Sequence, residues 1–250
     1  MTNQERQEEI IRIISLRGQV SIQELNNRLG VSEVTLRKDL SFLEASGLLV
    51  RTRGGAMAAT KKELIRPLQV RREEHKEEKV RIAQKAREFI HEGDTIFLDS
   101  GSTAQELALQ IRDMSLRVIT NSIEVLITLQ DTPDLAVFAL GGNFRKDAGS
   151  FIGPQTLEAL RTFHIDTCFI GTTGFSTEGY FSSQNIYESD TKKQALQRSK
   201  RKIILADSSK YGTEAFSVFA SIQDIHILIS DRALADRCDI TQFPCEIVLA

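Results

Sequence analysis

The sequence predicts two domains, a small winged helix-turn-helix followed by a larger α/β domain with a mostly parallel sheet. The residue pattern of 1–58 predicts three short helices and a hairpin, whereas from Val80 onward it predicts strands that alternate with helices. The charge changes along the same division, since residues 1–72 hold 13 basic and 8 acidic side chains and the remainder holds 19 and 26. We therefore expect domains at 1–58 and 76–250, joined by a linker at 59–75.

The composition is that of a soluble globular protein. Hydrophobic residues make up 41% of the 250 residues and charged residues 26%, close to the globular average. The polar N-terminus and the lack of any apolar run near ~18 residues predict a cytoplasmic protein with no signal peptide and no membrane partner. Three cysteines without a C-x-x-C pair exclude a disulfide scaffold and a cysteine-based zinc site. The four histidines are scattered, so we predict neither a metal nor a cofactor.

Three helices are predicted in the first 45 residues. The first spans about residues 3–17 on a stripe of isoleucines and ends at Gly18. Ser21 and Glu24 match a capping box that begins a second helix, which ends at Gly30. Ser32 caps the third helix, for which we expect four apolar core positions. These are Val34, Leu36, Leu40 and Leu43.

A basic hairpin follows the third helix, with strands at 48–51 and 56–58 around a turn. In a winged helix-turn-helix the third helix enters the major groove of DNA, and the hairpin contacts phosphates or the minor groove. Arg37 suits a guanine edge and Lys38 a phosphate. The candidate DNA-binding residues are Ser32, Glu33, Thr35, Arg37, Lys38, Arg51, Arg53, Gly54 and Gly55. From spacing alone, a three-helix bundle with a solvated charged face, or a helix-turn-helix used for protein contacts, fits equally well.

Three linked motifs carry a family resemblance. They are VSxxTLRKDL from Val31, LExxG from Leu43 and RxRGGA from Arg51. Together they strongly resemble the DNA-binding end of DeoR-type bacterial transcription repressors, whose pattern has Ile at position 36 and Arg at position 38. The resemblance implies double-stranded operator DNA as a partner. Lys38 keeps the positive charge of that Arg but lacks its guanidinium fork.

Residues 57–80 are rich in charge and contain Pro67. They predict an interdomain linker that becomes helical after about His75. Its basic side chains are candidates for further phosphate contacts, although a solvated linker explains most of them.

Helical stripes and apolar strand runs alternate in the back part of the chain. Strands are expected at 95–98, 117–120, 135–140, 167–170, 202–206, 225–229 and, at the sheet edge, 246–249. Helices are expected at 80–90, 104–111, 123–129, 154–160 and 188–198. This alternation indicates βαβ units and a mostly parallel sheet.

Small or polar residues follow five of these strands: DSGST from Asp99, TNS from Thr120, the pair Gly141-Gly142, GTTG from Gly171, and DSSK from Asp207. Because the carboxyl ends of parallel strands meet at one edge, where ligands bind, we expect a site there. DSGST leads into a helix N-terminus, which attracts anions. Neither a Walker loop nor G-x-G-x-x-G is present, so a phosphoester smaller than a nucleotide is expected. Lys210 and Arg145 are candidates to add positive charge.

The family resemblance extends over about residues 5–232. It implies a ribose-5-phosphate isomerase-like fold for the back part and a phosphorylated sugar as the effector that releases the protein from DNA. Ser102 stands where the family usually has Thr, and keeps the hydroxyl. The effector-binding residues expected on this basis are Asp99, Ser100, Gly101, Ser102, Thr103, Thr120, Asn121, Ser122, Gly141, Gly142, Arg145, Gly171, Glu188, Lys192, Asp207 and Lys210.

Two other functions compete with a repressor at this point. The first is a phosphosugar isomerase or deaminase with an added front domain. The isomerases of this fold carry acidic residues after the strand that precedes Thr172 and Thr173 here, and Glu178, Glu188 and Asp207 remain candidate bases. The second is a front domain that binds RNA or protein. The chain has no run of exposed aromatic residues on which the bases of a single strand could stack, which argues against RNA. We favour a non-enzymatic repressor of a sugar-metabolism operon, a homodimer or homotetramer on the nucleoid of the bacterial cytoplasm.

Overall fold

The computed structural model describes residues 3–45, 49–52, 54–58 and 68–250. The chain divides into two compact units, Met1–Val70 and Arg71–Ala250, called the first and second unit below. The first unit holds one hydrophobic cluster and the second holds two. The predicted architecture, a winged helix-turn-helix followed by a mostly parallel α/β domain, is confirmed.

The described residues 3–58 of the first unit form three helices and a three-stranded antiparallel sheet. Its elements are α1 (Asn3–Arg17), β1 (Gln19–Ser21), α2 (Ile22–Leu29), α3 (Glu33–Ala45), β2 (Leu49–Thr52) and β3 (Gly55–Ala58). The strand order is β1-β3-β2, so β3 lies in the middle. The hairpin was predicted, but β1 was not, because three residues between two helices carry too little pattern.

Local capping chemistry sets the helix boundaries of the first unit. The Ser21 side chain accepts from the Glu24 N–H, and Glu24 reciprocally accepts from the Ser21 N–H, so the predicted capping box is confirmed. Gly30 ends α2 in the left-handed conformation, with φ of 64°. After a short turn, α3 begins directly after Ser32, whose hydroxyl accepts a hydrogen bond from the Thr35 N–H at 3.3 Å.

The core of the first unit corrects one expectation about α3. Leu36, Leu40 and Leu43 are buried as predicted, whereas Val34 is 66% exposed. Two residues correspond to a rotation of about 200° on a helix, so Val34 and Leu36 lie on opposite faces. Asp39 occupies the buried face instead and receives the Arg6 guanidinium of α1 at 2.6 Å. The prediction of Val34 as a core residue was therefore wrong.

Gly55 allows β1 and β3 to approach closely. A Cβ atom at this position would lie 2.0 Å from the Val20 carbonyl oxygen and 2.7 Å from the Ser21 Cα. Gly54 differs, because no described heavy atom lies within 4 Å of a Cβ built there. The second glycine of the RxRGGA motif is therefore needed for strand pairing, and the first is not.

We expect Gly55→Ala to destabilise the first unit by about 1–3 kcal/mol, since the backbone of β1 must move to accept the methyl group. Gly54→Ala is the matched control and should change little. Urea unfolding of the full chain, followed by circular dichroism, compares the two. Equal losses from both substitutions would contradict this account of the motif.

The predicted linker at 59–75 contains a helix. Residues 59–67 lie outside the described residues, and α4 (Leu68–Glu73) follows them. His75 then adopts a left-handed conformation, with φ of 52°, and separates α4 from α5 (Lys76–Arg87). Helical structure thus begins before the expected start near His75.

The second unit is built on a seven-stranded sheet whose neighbouring strands are all parallel. These strands are β4 (Thr95–Leu98), β5 (Leu116–Thr120), β6 (Leu135–Ala139), β9 (Ile165–Gly171), β12 (Ser199–Leu205), β14 (Ile227–Ser230) and β15 (Glu246–Leu249). The remaining helices are α6 (Ser102–Gln110), α7 (Ile123–Leu129), α8 (Pro154–Arg161) and α9 (Ile186–Arg198). Every helix and strand predicted here is present within a few residues, and β15 lies at an edge as expected.

The strand order β15-β14-β12-β9-β4-β5-β6 defines where a site can form. The chain runs outward from β4 to β6 on one side and from β9 to β15 on the other. The order therefore reverses between β4 and β9. In open α/β sheets the crevice at the carboxyl ends of the strands on either side of such a reversal is the usual ligand site.

Two small antiparallel sheets were not predicted. One is the hairpin β7 (Asn143–Arg145) and β8 (Ser150–Ile152). The other joins β10 (Gly174–Phe175), β11 (Tyr180–Ser183) and β13 (Ser217–Ser221) and packs on the same side as α8 and α9. Strands this short show no sustained alternation of apolar and polar residues, which is the pattern that reveals a strand.

Candidate functional site

A pocket opens at the carboxyl ends of β4, β9 and β12, at the point where the strand order reverses. Four cationic and three acidic side chains line it, together with small and hydroxyl residues. Its lining residues are Arg71, Glu74, Lys79, Ser100, Gly101, Ser102, Thr103, Ala104, Gly171, Thr172, Thr173, Ser183, Glu188, Lys192, Leu205, Ala206, Asp207 and Lys210. All of them belong to the second unit.

A buried ion pair forms the floor of this pocket. Asp99 is 1% exposed and Lys192 is 5% exposed, and the Lys192 ammonium donates to the Asp99 carboxylate. The same ammonium donates to the Gly171 carbonyl at 2.9 Å, and the Gly171 N–H donates to Asp99 at 3.0 Å. One charge pair therefore joins the ends of β4 and β9 to the first turns of α9.

The N-terminus of α6 faces the pocket without a side-chain cap. Gly101 occupies the N-cap position with φ of 147°, and none of the described side chains accepts a hydrogen bond from the first turn there. Uncapped N–H groups at a helix N-terminus bind anions, and the hydroxyls of Ser100, Ser102 and Thr103 lie beside them. The DSGST loop, which the sequence predicts to bind an anion, thus leads into this helix N-terminus beside the pocket.

Two cationic residues of the pocket were missed from the sequence. The Lys79 ammonium donates to the backbone carbonyls of Arg71 and Glu74, at the C-terminal end of α4. Burial lowers the pKa of Lys79 to about 8. Burial also lowers the pKa of Arg71, whose Nε is buried with no hydrogen-bond partner among the described residues. This N–H is therefore free to donate a hydrogen bond to a molecule in the pocket.

A sequence signal for Lys79 did exist. It stands three and four residues before Ile82 and Ala83, both of which are fully buried, so it lies on the buried face of α5. A lysine on the apolar face of an amphipathic helix is rarely buried without a partner. Arg71 offered no comparable signal, because it lies in the range assigned to the linker.

Asp207, Lys210 and Glu188 lie at the pocket wall. Asp207 caps a short 3-10 turn by accepting from the Ser209 N–H at 3.1 Å. The Lys210 ammonium stays 3.8 Å from the Asp207 carboxylate, outside hydrogen-bonding distance. Glu188 forms an ion pair with Arg145, whose Nη1 lies 2.9 Å from the Glu188 carboxylate. Arg145 also pairs with Asp147 at 2.7 Å.

Seven of the predicted effector-binding residues are not among those that line the pocket. One of them is Asp99, which belongs to the ion pair at its floor. The Thr120 hydroxyl donates to the Leu98 carbonyl, and the Ser122 hydroxyl caps α7 by accepting from the Val125 N–H. Asn121 donates to the Phe151 carbonyl. Gly141 and Gly142 form a tight turn under Thr156, where a Cβ at Gly142 would lie 2.3 Å from the Thr156 hydroxyl. Arg145 reaches the pocket only through Glu188.

The outward face of α3 gathers most of the predicted DNA-binding residues. Glu33, Arg37 and Lys38 are exposed on its first two turns. The Arg37 guanidinium lies 3.4 Å from the Glu33 carboxylate. Arg51 of the hairpin donates to the Ser41 hydroxyl at 2.9 Å, so the hairpin adds its charge to the same face.

The other predicted residues of this face have structural roles. The Ser32 hydroxyl is 3.0 Å from that of Thr35, and the two begin α3 together. Gly54 and Gly55 shape the turn of the hairpin. Arg53 lies outside the described residues. Sequence reasoning missed the exposure of Val34 on this surface.

Comparison with known families identifies both units. Residues 6–62 match the family described as "DeoR-like helix-turn-helix domain". Residues 74–232 match "DeoR C terminal sensor domain". The chain belongs to the DeoR family. The resemblance read from the three front motifs and the strand-end loops is thereby confirmed.

Curated relatives extend over most of this DeoR-family chain. The "Lactose phosphotransferase system repressor" of Streptococcus mutans is 38% identical over 237 residues, which cover 92% of this chain and 93% of that relative. The "HTH-type transcriptional repressor GlcR" of Bacillus subtilis is 33% identical over 93% of this chain and 90% of its own. The "Uncharacterized HTH-type transcriptional regulator YulB" of the same organism is 36% identical, with 92% and 89% covered.

Solved structures similar to this DeoR-family chain include ribose 5-phosphate isomerase A from Methanocaldococcus jannaschii. The match covers 55% of each chain, with a TM-score of 0.41 and 16% sequence identity. The eIF2B delta chain from Chaetomium thermophilum matches 60% of this chain and 55% of its own, with a TM-score of 0.47 and 17% identity.

Neither a bilayer-spanning helix nor a metal-binding cluster is found within the described part of the chain. No helix there has both the length and the apolar character needed to cross a membrane. No group of three or more His, Cys, Asp or Glu side chains is arranged there to hold a metal ion.

We expect Asp99→Asn and Lys192→Met each to destabilise the second unit by about 3–5 kcal/mol, because either one leaves a buried charge without its partner. The double variant should cost clearly less than the sum of the two. Urea unfolding of the four proteins gives the coupling free energy.

The exposed pair Lys200–Asp166, at 2.8 Å, is the matched control. Its coupling should stay below about 1 kcal/mol, because both groups are solvated. Simple additivity at Asp99 and Lys192 would show that the pair does not organise the pocket floor.

Proposed function

We propose that this DeoR-family protein is a transcriptional repressor of a sugar-metabolism operon, which binds operator DNA through the first unit and leaves it when a phosphorylated sugar binds the second. The observation that carries the proposal is the uncapped N-terminus of α6 in a pocket with four cationic side chains. The relatives named as repressors, one of them a lactose phosphotransferase system repressor, support it.

The DNA-binding part of the proposal rests on the face shared by α3 and the hairpin. Arg37, Lys38 and Arg51 concentrate positive charge beside the first turns of α3. The bond from Arg51 to Ser41 holds the hairpin against that helix. Such a face suits a major groove, with Arg37 reading a guanine and Lys38 holding a phosphate. A dimer or tetramer would present two or more such faces to the half-sites of an operator, on the nucleoid in the bacterial cytoplasm.

The effector class follows from the chemistry of the pocket lining. A phosphate suits the N-terminus of α6, with Arg71, Lys79 and Lys210 supplying charge. Glu188, Asp207 and the threonines at 172 and 173 offer acceptors and hydroxyls to the hydroxyl groups of a sugar. An unphosphorylated sugar would leave the cationic groups without an anion, so the phosphate is expected to be essential.

Lys79 offers a physical route from the effector to the linker. Its ammonium holds the last carbonyls of α4, at Arg71 and Glu74, while lining the pocket. Arg72 ties the same helix to α7 through an ion pair with Glu124. A phosphate in the pocket competes for the Lys79 ammonium and weakens its hold on α4. Because α4 joins the two units along the chain, the effector then favours an arrangement with lower DNA affinity.

A phosphosugar isomerase or deaminase is the less favoured alternative. The strand β9 is followed by Thr172 and Thr173 rather than by acidic residues. Asp207 accepts hydrogen bonds from Ser209, and Glu188 is paired with Arg145. Both carboxylates therefore have partners within the chain, which suits accepting a hydrogen bond from a sugar better than removing a proton from one.

The DNA-binding part is tested by fluorescence anisotropy on DNA from upstream of the protein's own gene, at one fixed salt concentration. We expect Arg37→Ala to cost about 1–3 kcal/mol of binding free energy and to relax specificity at one base pair. Lys38→Ala should instead weaken binding to all DNA sequences alike and lower the salt dependence of the affinity. An operator affinity unchanged by Arg37→Ala would remove Arg37 from the set of reading residues.

The effector part is tested by titrating the DNA complex with glucose 6-phosphate, fructose 1-phosphate and ribose 5-phosphate, each beside its unphosphorylated sugar. One of the phosphorylated sugars should release wild-type protein. Lys79→Met lacks the contact that holds α4, so it should bind DNA weakly and to the same extent with or without the sugar. Lys193→Met, an exposed neighbour on α9, is the control and should respond normally.

The lowered pKa of Lys79 adds a pH signature. Since its pKa is about 8, the ammonium that attracts the phosphate is lost as the pH rises through that value. Effector affinity in the wild type should therefore fall between pH 7 and 9, and it should be flat in Lys79→Met. A pH-dependent release retained by Lys79→Met would exclude Lys79 as the coupling residue.

A further inference from the structure

Val34 is an apolar side chain at the centre of the proposed DNA-reading surface. It is 66% exposed, more than any other large hydrophobic residue described in the first unit. It lies four residues before Lys38 and seven before Ser41, so the three form one outward stripe on α3. The buried leucines occupy the opposite face. The exposure of Val34 is therefore set by the helix itself.

The neighbours of Val34 are polar and engaged with one another. Glu33 pairs with Arg37 at 3.4 Å, and Ser41 accepts from Arg51 at 2.9 Å. Val34 has no polar atom in its side chain, so it can take part in neither network. It thus presents two methyl groups on the first turn of the helix, where residues of a recognition helix reach base edges.

We propose that Val34 contacts the 5-methyl group of a thymine in the major groove and so specifies a T·A pair in each half-site. The thymine methyl is the one apolar group on the base edges of that groove, and apolar side chains are its usual partners. A phosphate or a guanine edge would gain nothing from a valine. This inference rests on the proposed function, because it requires α3 to enter the groove of operator DNA.

The expected size of the effect follows from the burial of one carbon. Removing one methyl group from an apolar contact should lower the affinity about fourfold per half-site, the value that corresponds to one buried methylene. Removal in both half-sites of a two-fold symmetric site should lower it by about the square of that factor.

The test begins with sites selected from a random DNA library by the full chain. Each thymine of the selected site is then replaced by uracil, which removes the methyl group and keeps every hydrogen-bonding atom. We expect one thymine per half-site to show the loss for wild-type protein. Val34→Ala lacks both γ-methyl groups, so its ratio between thymine and uracil DNA at that position should be clearly smaller than that of wild-type protein. Placing 5-methylcytosine there in place of cytosine should restore part of the wild-type affinity.

Lys38→Ala is the matched control, because it lies on the same stripe and weakens binding through a phosphate. It should keep the wild-type ratio between thymine and uracil DNA. Val34→Thr retains one γ-methyl group and should give an intermediate ratio. Since Val34 and Lys38 are both exposed, thermal melting should show that Val34→Ala, Val34→Thr and Lys38→Ala are all folded.

The outcomes separate this inference from the proposed function. Selected sites with no uracil-sensitive position, or a thymine preference unchanged in folded Val34→Ala, would overturn the role of Val34 and leave the repressor intact. Failure to select any DNA sequence would overturn the proposed function, and the role of Val34 with it.

Discussion

The pocket of the second unit depends on the buried pair of Asp99 and Lys192. Two charges that are almost fully buried are tolerable only when each satisfies the other and the remaining hydrogen-bonding groups are also paired. Here the Gly171 N–H and carbonyl complete the arrangement. The pair thereby joins the ends of β4 and β9, across the point where the strand order reverses. The loops that follow β4 and β9 are positioned by this contact.

The same chemistry recurs at Lys79 with a different outcome. Lys192 donates a hydrogen bond to a carboxylate, whereas Lys79 donates to two backbone carbonyls, and burial lowers the pKa of Lys79 to about 8. A cation held by neutral dipoles is less well compensated than one held by an anion. The Lys79 ammonium can therefore exchange its present hydrogen bonds for a phosphate more readily than the Lys192 ammonium can. Under the proposed function, Lys192 therefore belongs to the framework of the pocket and Lys79 to its response to the effector.

The sequence predicted the elements better than it predicted the site. Residues such as Ser21, Gly30 and Ser32 act on their own helix, so their roles follow from local chemistry. The strand-end loops were recognised because parallel strands must bring their carboxyl ends together. Yet Thr120, Asn121 and Ser122, at the end of β5, became caps and buried hydrogen bonds. Position at the sheet edge could not distinguish a residue that lines the pocket from one that supports it.

The sequence by itself determined the two-domain organisation, the order of the helices and of the main-sheet strands, and the family, because periodicity, capping and linked motifs are local properties. Tertiary structure decided which loops share a pocket, since β4, β9 and β12 become neighbours only in the folded sheet. It also brought Lys79 beside the end of α4, and it buried Asp39 against Arg6. Burial and long-range pairing depend on residues distant in sequence, and no local pattern records them.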